Sequence, residues 1–192
     1  MSVRKIWGLG AVAAAALLAT SASAANLVVN GGFETGDFSG WTANPVSYPM
    51  YIVTSPVEEG TYAAQITGYA SGPDTLEQDI ADVAGQSYLL SFWRWQDPGT
   101  PNGLDVTWNG SSVHSEVDNS DGAGWQNFTV SVTGHGTDAL VFTSYNDPAF
   151  TYVDNISVTG AGAVPEPATW ALMLLGFGGL GAALRRRAAI AA

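Results

Sequence analysis

The 192-residue chain contains no cysteine. That absence excludes a disulfide framework, a thiolate nucleophile and any thiolate-bound metal centre. Positive charge is nearly as scarce, because Arg4, Lys5, Arg94, Arg185, Arg186 and Arg187 are its only lysine and arginine residues, against 17 acidic ones. Five of the six lie at the chain ends, so the middle keeps every carboxylate but Glu166 and has Arg94 as its single permanent cation. Such a middle repels phosphate backbones, which excludes nucleic acid as a partner. Also missing are a nucleophile elbow, an H-E-x-x-H metal spacing and a phosphate-cradling glycine loop. The two histidines, His114 and His135, fall in Gly/Ser-rich or turn-like segments and read as solvated loop residues, so an enzyme is not expected.

What is present is glycine, 23 residues, and aromatic side chains, 11% of the chain, a composition suited to short strands joined by many turns. Strands are expected over 27–29, 50–55, 62–67, 75–80, 87–96, 104–109, 125–133, 139–146 and 152–159, several with the period-2 alternation of a half-buried strand. Leu104, Val106 and Trp108 share one face, as do Phe128, Val130 and Val132. With no helical pattern between them, these strands imply an all-β, two-sheet jelly-roll sandwich over residues 25–159. GAGAV at 160–164 reads as a flexible linker.

The two ends carry addresses. Residues 1–24 have a basic pair at Arg4 and Lys5, an apolar stretch and Ala22-Ser23-Ala24, the small-x-small pattern read by a signal peptidase; this is a secretory signal peptide. At the other end, Ala168 to Leu184 runs about seventeen residues without a charge, just enough at about 1.5 Å per residue for a short transmembrane helix. Arg185, Arg186 and Arg187 then hold that end in the cytoplasm.

Pro165, Glu166, Pro167, Trp170 and Ala171, followed by MLLGFGGLG and the arginine cluster, closely resemble the PEP-CTERM sorting signal of Gram-negative bacteria in its PEP-x-x-W-A variant. The resemblance implies an inner-membrane intermediate, recognition by an exosortase, cleavage near Pro-Glu-Pro and delivery to the cell surface or an extracellular matrix. It covers residues 165–187 and says where the chain goes, not what it binds.

NGGFETGDFSGW at 30–41, GTYAAQI at 60–66, the TLEQDI and YLLSFW strands and YVDNISV at 152–158 resemble the galactose-binding-like jelly rolls, the fold of many carbohydrate-binding modules. In related modules a structural calcium sits where Glu34 and Asp154 would meet, completed by backbone carbonyls of the stretch matching Gly60 to Tyr62. Oxygen-only ligands suit calcium, and the alternative is that both carboxylates merely cap turns. A second candidate site follows from the pleat. If Leu90 and Phe92 face the core, Trp93 and Trp95 face out as a flat strip on which sugar rings stack, with Asp97, Asn102 or Tyr145 available to bond hydroxyls. The reversed register would bury both tryptophans. The expected function is a non-catalytic exported protein that binds polysaccharide; the alternative is a structural or protein-adhesive surface domain.

Overall fold

The computed structural model describes residues 25–161 apart from 47, 67–71 and 120–122. The expected signal peptide and the sorting segment, with Pro165, Glu166, Pro167, Trp170, Ala171, Arg185, Arg186, Arg187 and the membrane helix, lie outside the described residues. Ten strands form: β1 Thr42–Asn44, β2 Tyr51–Val53, β3 Ala63–Ile66, β4 Asp74–Ala81 and β5 Ser87–Gln96. After them come β6 Asn102–Trp108, β7 Ser111–Val117, β8 Trp125–Thr133, β9 Thr137–Asn146 and β10 Thr151–Gly160. No helix occurs among the described residues.

The strands make two five-stranded sheets, in the orders β1-β4-β9-β6-β7 and β2-β3-β10-β5-β8. Every adjacent pair is antiparallel. Repeated crossing of the chain between the sheets gives the jelly-roll sandwich expected from the spacing of the strands. Alternation places the core: Leu76 and Ile80 from β4, Leu104 and Val106 from β6, and Leu140 and Phe142 from β9 meet Leu90 and Phe92 from β5. Phe92 packs edge-on against Phe142 at 5.3 Å and stacks on Phe128 at 5.4 Å. Each fully buried Leu, Ile or Phe contributes about 1.5–3 kcal/mol, and in a chain without cysteine this apolar layer joins the sheets.

Three expectations are corrected. Residues 27–29 do not form a strand. They run beside β10 where short β3 no longer covers it, through single bonds from Leu27 N–H to the Val158 carbonyl and from Ile156 N–H to the Gly31 carbonyl, each 2.9 Å. A bulge in β10 between Asp154 and Ser157, with Asn155 at φ 47°, breaks the ladder there, and the Asn26 carboxamide oxygen accepts the Val158 N–H at 2.9 Å in place of a backbone partner. Strands β1 and β7 form without having been expected. His114 consequently stands in β7 rather than in a solvated loop, with its ring 4.2 Å from that of Phe128 and its Nε2 3.3 Å from Glu116 Oε1. His135 does occupy a turn, largely exposed, with Nδ1 2.9 Å from Asp138 Oδ1.

Candidate functional site

Along β5 the side chains of Tyr88, Leu90, Phe92, Arg94 and Gln96 are buried, while Ser91, Trp93 and Trp95 stand half-buried on the outer face of the second sheet. The structure thus takes the register that turns both tryptophans outward. Cross-strand pairing extends Trp95 into a row, since it lies opposite Trp125 of β8 on one side and Tyr152 of β10 on the other. Tyr152 lies opposite Gln65 of β3, and Gln65 opposite Tyr51 of β2. The row crosses all five strands, roughly 19 Å at about 4.8 Å per step.

Ring contacts make it nearly continuous. Trp95 and Trp125 meet edge-on at 6.0 Å, Tyr152 lies 6.4 Å from Phe150, Phe150 6.2 Å from Tyr48, and Tyr48 6.1 Å from Tyr51. Tyr48 and Tyr51 are 40% and 46% exposed, whereas Tyr152 is only 7% exposed and forms the floor. Trp93 begins a second, polar row with Asp154 and Asn127 as its cross-strand neighbours.

Asp97 belongs with the row. Its Oδ1 accepts the Trp95 indole N–H at 2.9 Å, and its Oδ2 faces the Tyr152 hydroxyl at 3.5 Å. Burial, and then the nearby Asp97 charge, push the Tyr152 phenol up to about 12, so it remains a neutral donor.

The other two residues expected beside the tryptophans are elsewhere. Asn102 is wholly buried, donating through Nδ2 to the carbonyls of Gly99 and Asn119 and accepting the Asn119 N–H at 2.9 Å. It ties two loops together and offers nothing to a ligand. Tyr145 extends outward from the first sheet, its ring over Gly103, where a Cβ would fall 2.5 Å from the ring. It cannot share a ligand with Trp93 and Trp95.

Glu34 and Asp154 do converge on one cavity, of about 240 Å³, lined also by Gly32, Glu59, Gly60 and Asn155. Glu34 Oε1 accepts the N–H groups of Thr61 at 2.9 Å and Tyr62 at 3.0 Å. Asp154 accepts those of Glu58 at 3.0 Å, Glu59 at 3.4 Å and Asn155 at 2.7 Å. Both carboxylates therefore cap backbone turns in this structure. Burial raises the Asp154 carboxyl to about 6 despite those three N–H bonds, with the charge of Glu58 adding to the rise. Among the described residues no group of three or more His, Asp or Glu side chains is arranged to hold a metal ion.

Comparison with known proteins agrees with this architecture. Residues 25–143 match the family model described as a carbohydrate binding domain. The chain belongs to this carbohydrate-binding family. Residues 163–187 of the same chain match the PEP-CTERM protein-sorting motif, which indicates export and sorting to the cell surface. The carbohydrate-binding domain has the fold of a family 61 carbohydrate-binding module solved with β-1,4-galactotriose, at a TM-score of 0.50 and 20% identity over 71% of this chain and 99% of that one. It is similar too to the CBM22-1 xylan-binding domain of Paenibacillus barcinonensis Xyn10C, with a TM-score of 0.55 and 16% identity over 75% of this chain and 100% of the other. Among curated proteins, the Vibrio vulnificus multifunctional-autoprocessing repeats-in-toxin protein is 35% identical over 163 residues, 76% of this chain. The chain spans only 3% of that toxin's length.

Of the aromatic row, the sequence pointed to Trp95 and, through Asp97, its polar edge. Trp125, Phe150, Tyr48 and Tyr51 were missed because what unites them is cross-strand register, which a single sequence does not display.

Proposed function

We propose that this is a non-catalytic, exosortase-sorted protein of the cell surface or extracellular matrix that binds polysaccharide through the outer face of its second sheet. The aromatic row carries the reading: Trp125, Trp95, Tyr152 and Tyr51 in register across the sheet give a partly exposed aromatic strip several sugar rings long. Sugar rings stack their C–H faces on such strips, and accessible aromatic surface of this extent marks a contact. The galactotriose-bound and xylan-binding modules that share the fold support a chain-like glycan. A non-catalytic role is supported by the histidines, since His114 is packed on Phe128 beside Glu116 and His135 lies in an exposed turn.

A glycan array probed with the full chain tests this. Retention on one or more glycans is expected, and replacing both Trp93 and Trp95 by alanine should reduce it by about tenfold or more, given about 0.5–1.5 kcal/mol per aromatic contact beyond area burial. Binding unchanged in a double variant that melts cooperatively would move the site elsewhere. Absence of any retained glycan would favour a structural or adhesive role.

We also propose a structural calcium held by Glu34 and Asp154. Both carboxylates face the same cavity, the donors are all oxygen, as calcium prefers, and Gly32 and Gly60 leave room between them. A cation there would offset the desolvation that now disfavours the charged form of Asp154.

A further inference from the structure

Charge decides which glycan suits the row. Among the described residues Arg94 is the only lysine or arginine, and it is 0% exposed, held inside against Glu116 at 2.8 Å. The outer face therefore presents neither ammonium nor guanidinium to a ligand. Beside the row, just past the end of β5, stands Asp97, fixed by the Trp95 indole at 2.9 Å and facing the Tyr152 hydroxyl at 3.5 Å. An ionised carboxylate has about four lone-pair sites, so these contacts leave it able to accept more. A carboxylate held beside indole and phenol rings is the chemistry that recognises a protonated amine. Asp97 meets these rings at their polar edges, the indole N–H and the phenol O–H, so its carboxylate supplies the ion pair, and an ammonium seated on it that also reaches an exposed ring face gains cation–π attraction. A uronic or phosphorylated sugar would meet repulsion at the same place, with no basic side chain to offset it.

We propose that the corner formed by Trp95, Tyr152 and Asp97 recognises the ammonium group of an amino sugar, so that the preferred ligand is a cationic, N-deacetylated amino-sugar polysaccharide. This rests on the reading of the face as a polysaccharide site and names the class of polymer. The neutral Tyr152 hydroxyl is suited to the role, since it donates towards Asp97 while its ring forms the floor.

The test measures retention of the full chain, in detergent, on chitosan particles, on the same polymer N-acetylated to chitin, on cellulose and on alginate gel, at mildly acidic pH where chitosan amines are protonated. Retention on chitosan should exceed that on chitin by about tenfold, as one ion pair with a ring contact would give, fall as salt rises, and be lowest on alginate. Asp97→Asn should abolish the preference for chitosan while retention on chitin persists. Asp79→Asn, an exposed position of β4 on the other sheet, should leave the preference intact. Soluble glucosamine oligomers should displace the wild-type protein and their N-acetylated forms should not, a comparison needing no variant. Equal retention on chitosan and chitin, a preference that survives Asp97→Asn, or one lost equally in Asp79→Asn would overturn the proposal. If chitin or cellulose is retained without preference, the polysaccharide reading stands alone. If no polymer is retained, both fall.

Discussion

Arg94 sits where the alternation of β5 calls for an apolar side chain, between Phe92 and the inward end of the strand, and it is among the largest fully buried side chains. Its guanidinium donates to Glu116 at 2.8 Å and Gln126 at 3.0 Å and lies 5.4 Å from the centre of the Phe128 ring. Burial by itself would raise the Glu116 carboxyl, but the His114 and Arg94 hydrogen bonds and the Arg94 charge outweigh it and hold the group below its ordinary value. Because the folded chain is the more acidic at Glu116, the stability from this group is fully present above the unfolded value of about 4.5 and is lost as pH falls through the lower folded value. Glu116→Gln should therefore cost about 3–5 kcal/mol in chemical denaturation at neutral pH, by leaving a buried charge unpaired. Replacing Arg94 and Glu116 together by methionine should recover most of that loss and weaken the decline in stability below about pH 4.5. A Glu116→Gln variant as stable as wild type would mean water compensates the guanidinium. Part of this was legible in the sequence: once Trp93 and Trp95 are taken as outward, Arg94 must point inward. Its partner was not, since SSVHSEV looks like a polar loop and only pairing with β6 makes it a strand with Glu116 turned in.

At the scale of elements, legibility followed burial. Strands β5 and β8 have the expected bounds, and β4, β9 and β10 extend the expected runs by at most two residues; β4, β5 and β9 alternate strongly between core and surface, while β8 and β10 are long runs rich in β-branched and aromatic residues. The segments that eluded the pattern are edges. Strand β1 has three residues and no fully buried one, and β7 is mostly polar and exposed, so neither carries a period-2 signal. The candidate calcium site is also a property of elements, since it would join the N-terminal segment, the 58–62 turn and β10. Its two carboxylates were legible, but not the N–H groups they accept. A ligand specific to the folded state adds RT ln(1 + [L]/Kd), about 2.7 kcal/mol at 100 times its dissociation constant. For a domain of this size that shifts the melting temperature upward by about 7–11 °C. Melting curves in calcium and in chelator should separate accordingly, and Asp154→Asn should bring them together. Coincident wild-type curves would leave Glu34 and Asp154 as turn caps. Gly60, at φ 78° and with a would-be Cβ 2.3 Å from Glu34 Oε1, supplies an independent check: Gly60→Ala should weaken any calcium effect by displacing that carboxylate.

On the scale of the whole molecule, the geometry relates the proposed binding face to the route of export. The chain enters and leaves the sandwich side by side, with Leu27 bonded to Val158 and β10 ending at Gly160. The segment that matches the sorting motif begins at residue 163, so any tether to the membrane starts at this end of β10. Tyr152 and the aromatic row lie eight residues back along the same strand, about 26 Å away at about 3.3 Å per residue. A precursor held by its tail would thus carry the row towards the end of the domain far from the point of attachment, and cleavage near Pro165 would release the domain without touching the row. The mature species should accordingly run from near Ala25 to near Pro165 and bind the same glycans as the precursor. Intact-mass spectrometry of protein recovered from the surface of a host that has an exosortase checks the first point, and comparison with a host lacking the enzyme checks the second. A surface species that keeps Arg185, Arg186 and Arg187 in the presence of the enzyme would remove exosortase cleavage from the account. A precursor unable to bind what the mature form binds would show instead that the tail end obstructs the face, contrary to the separation along β10.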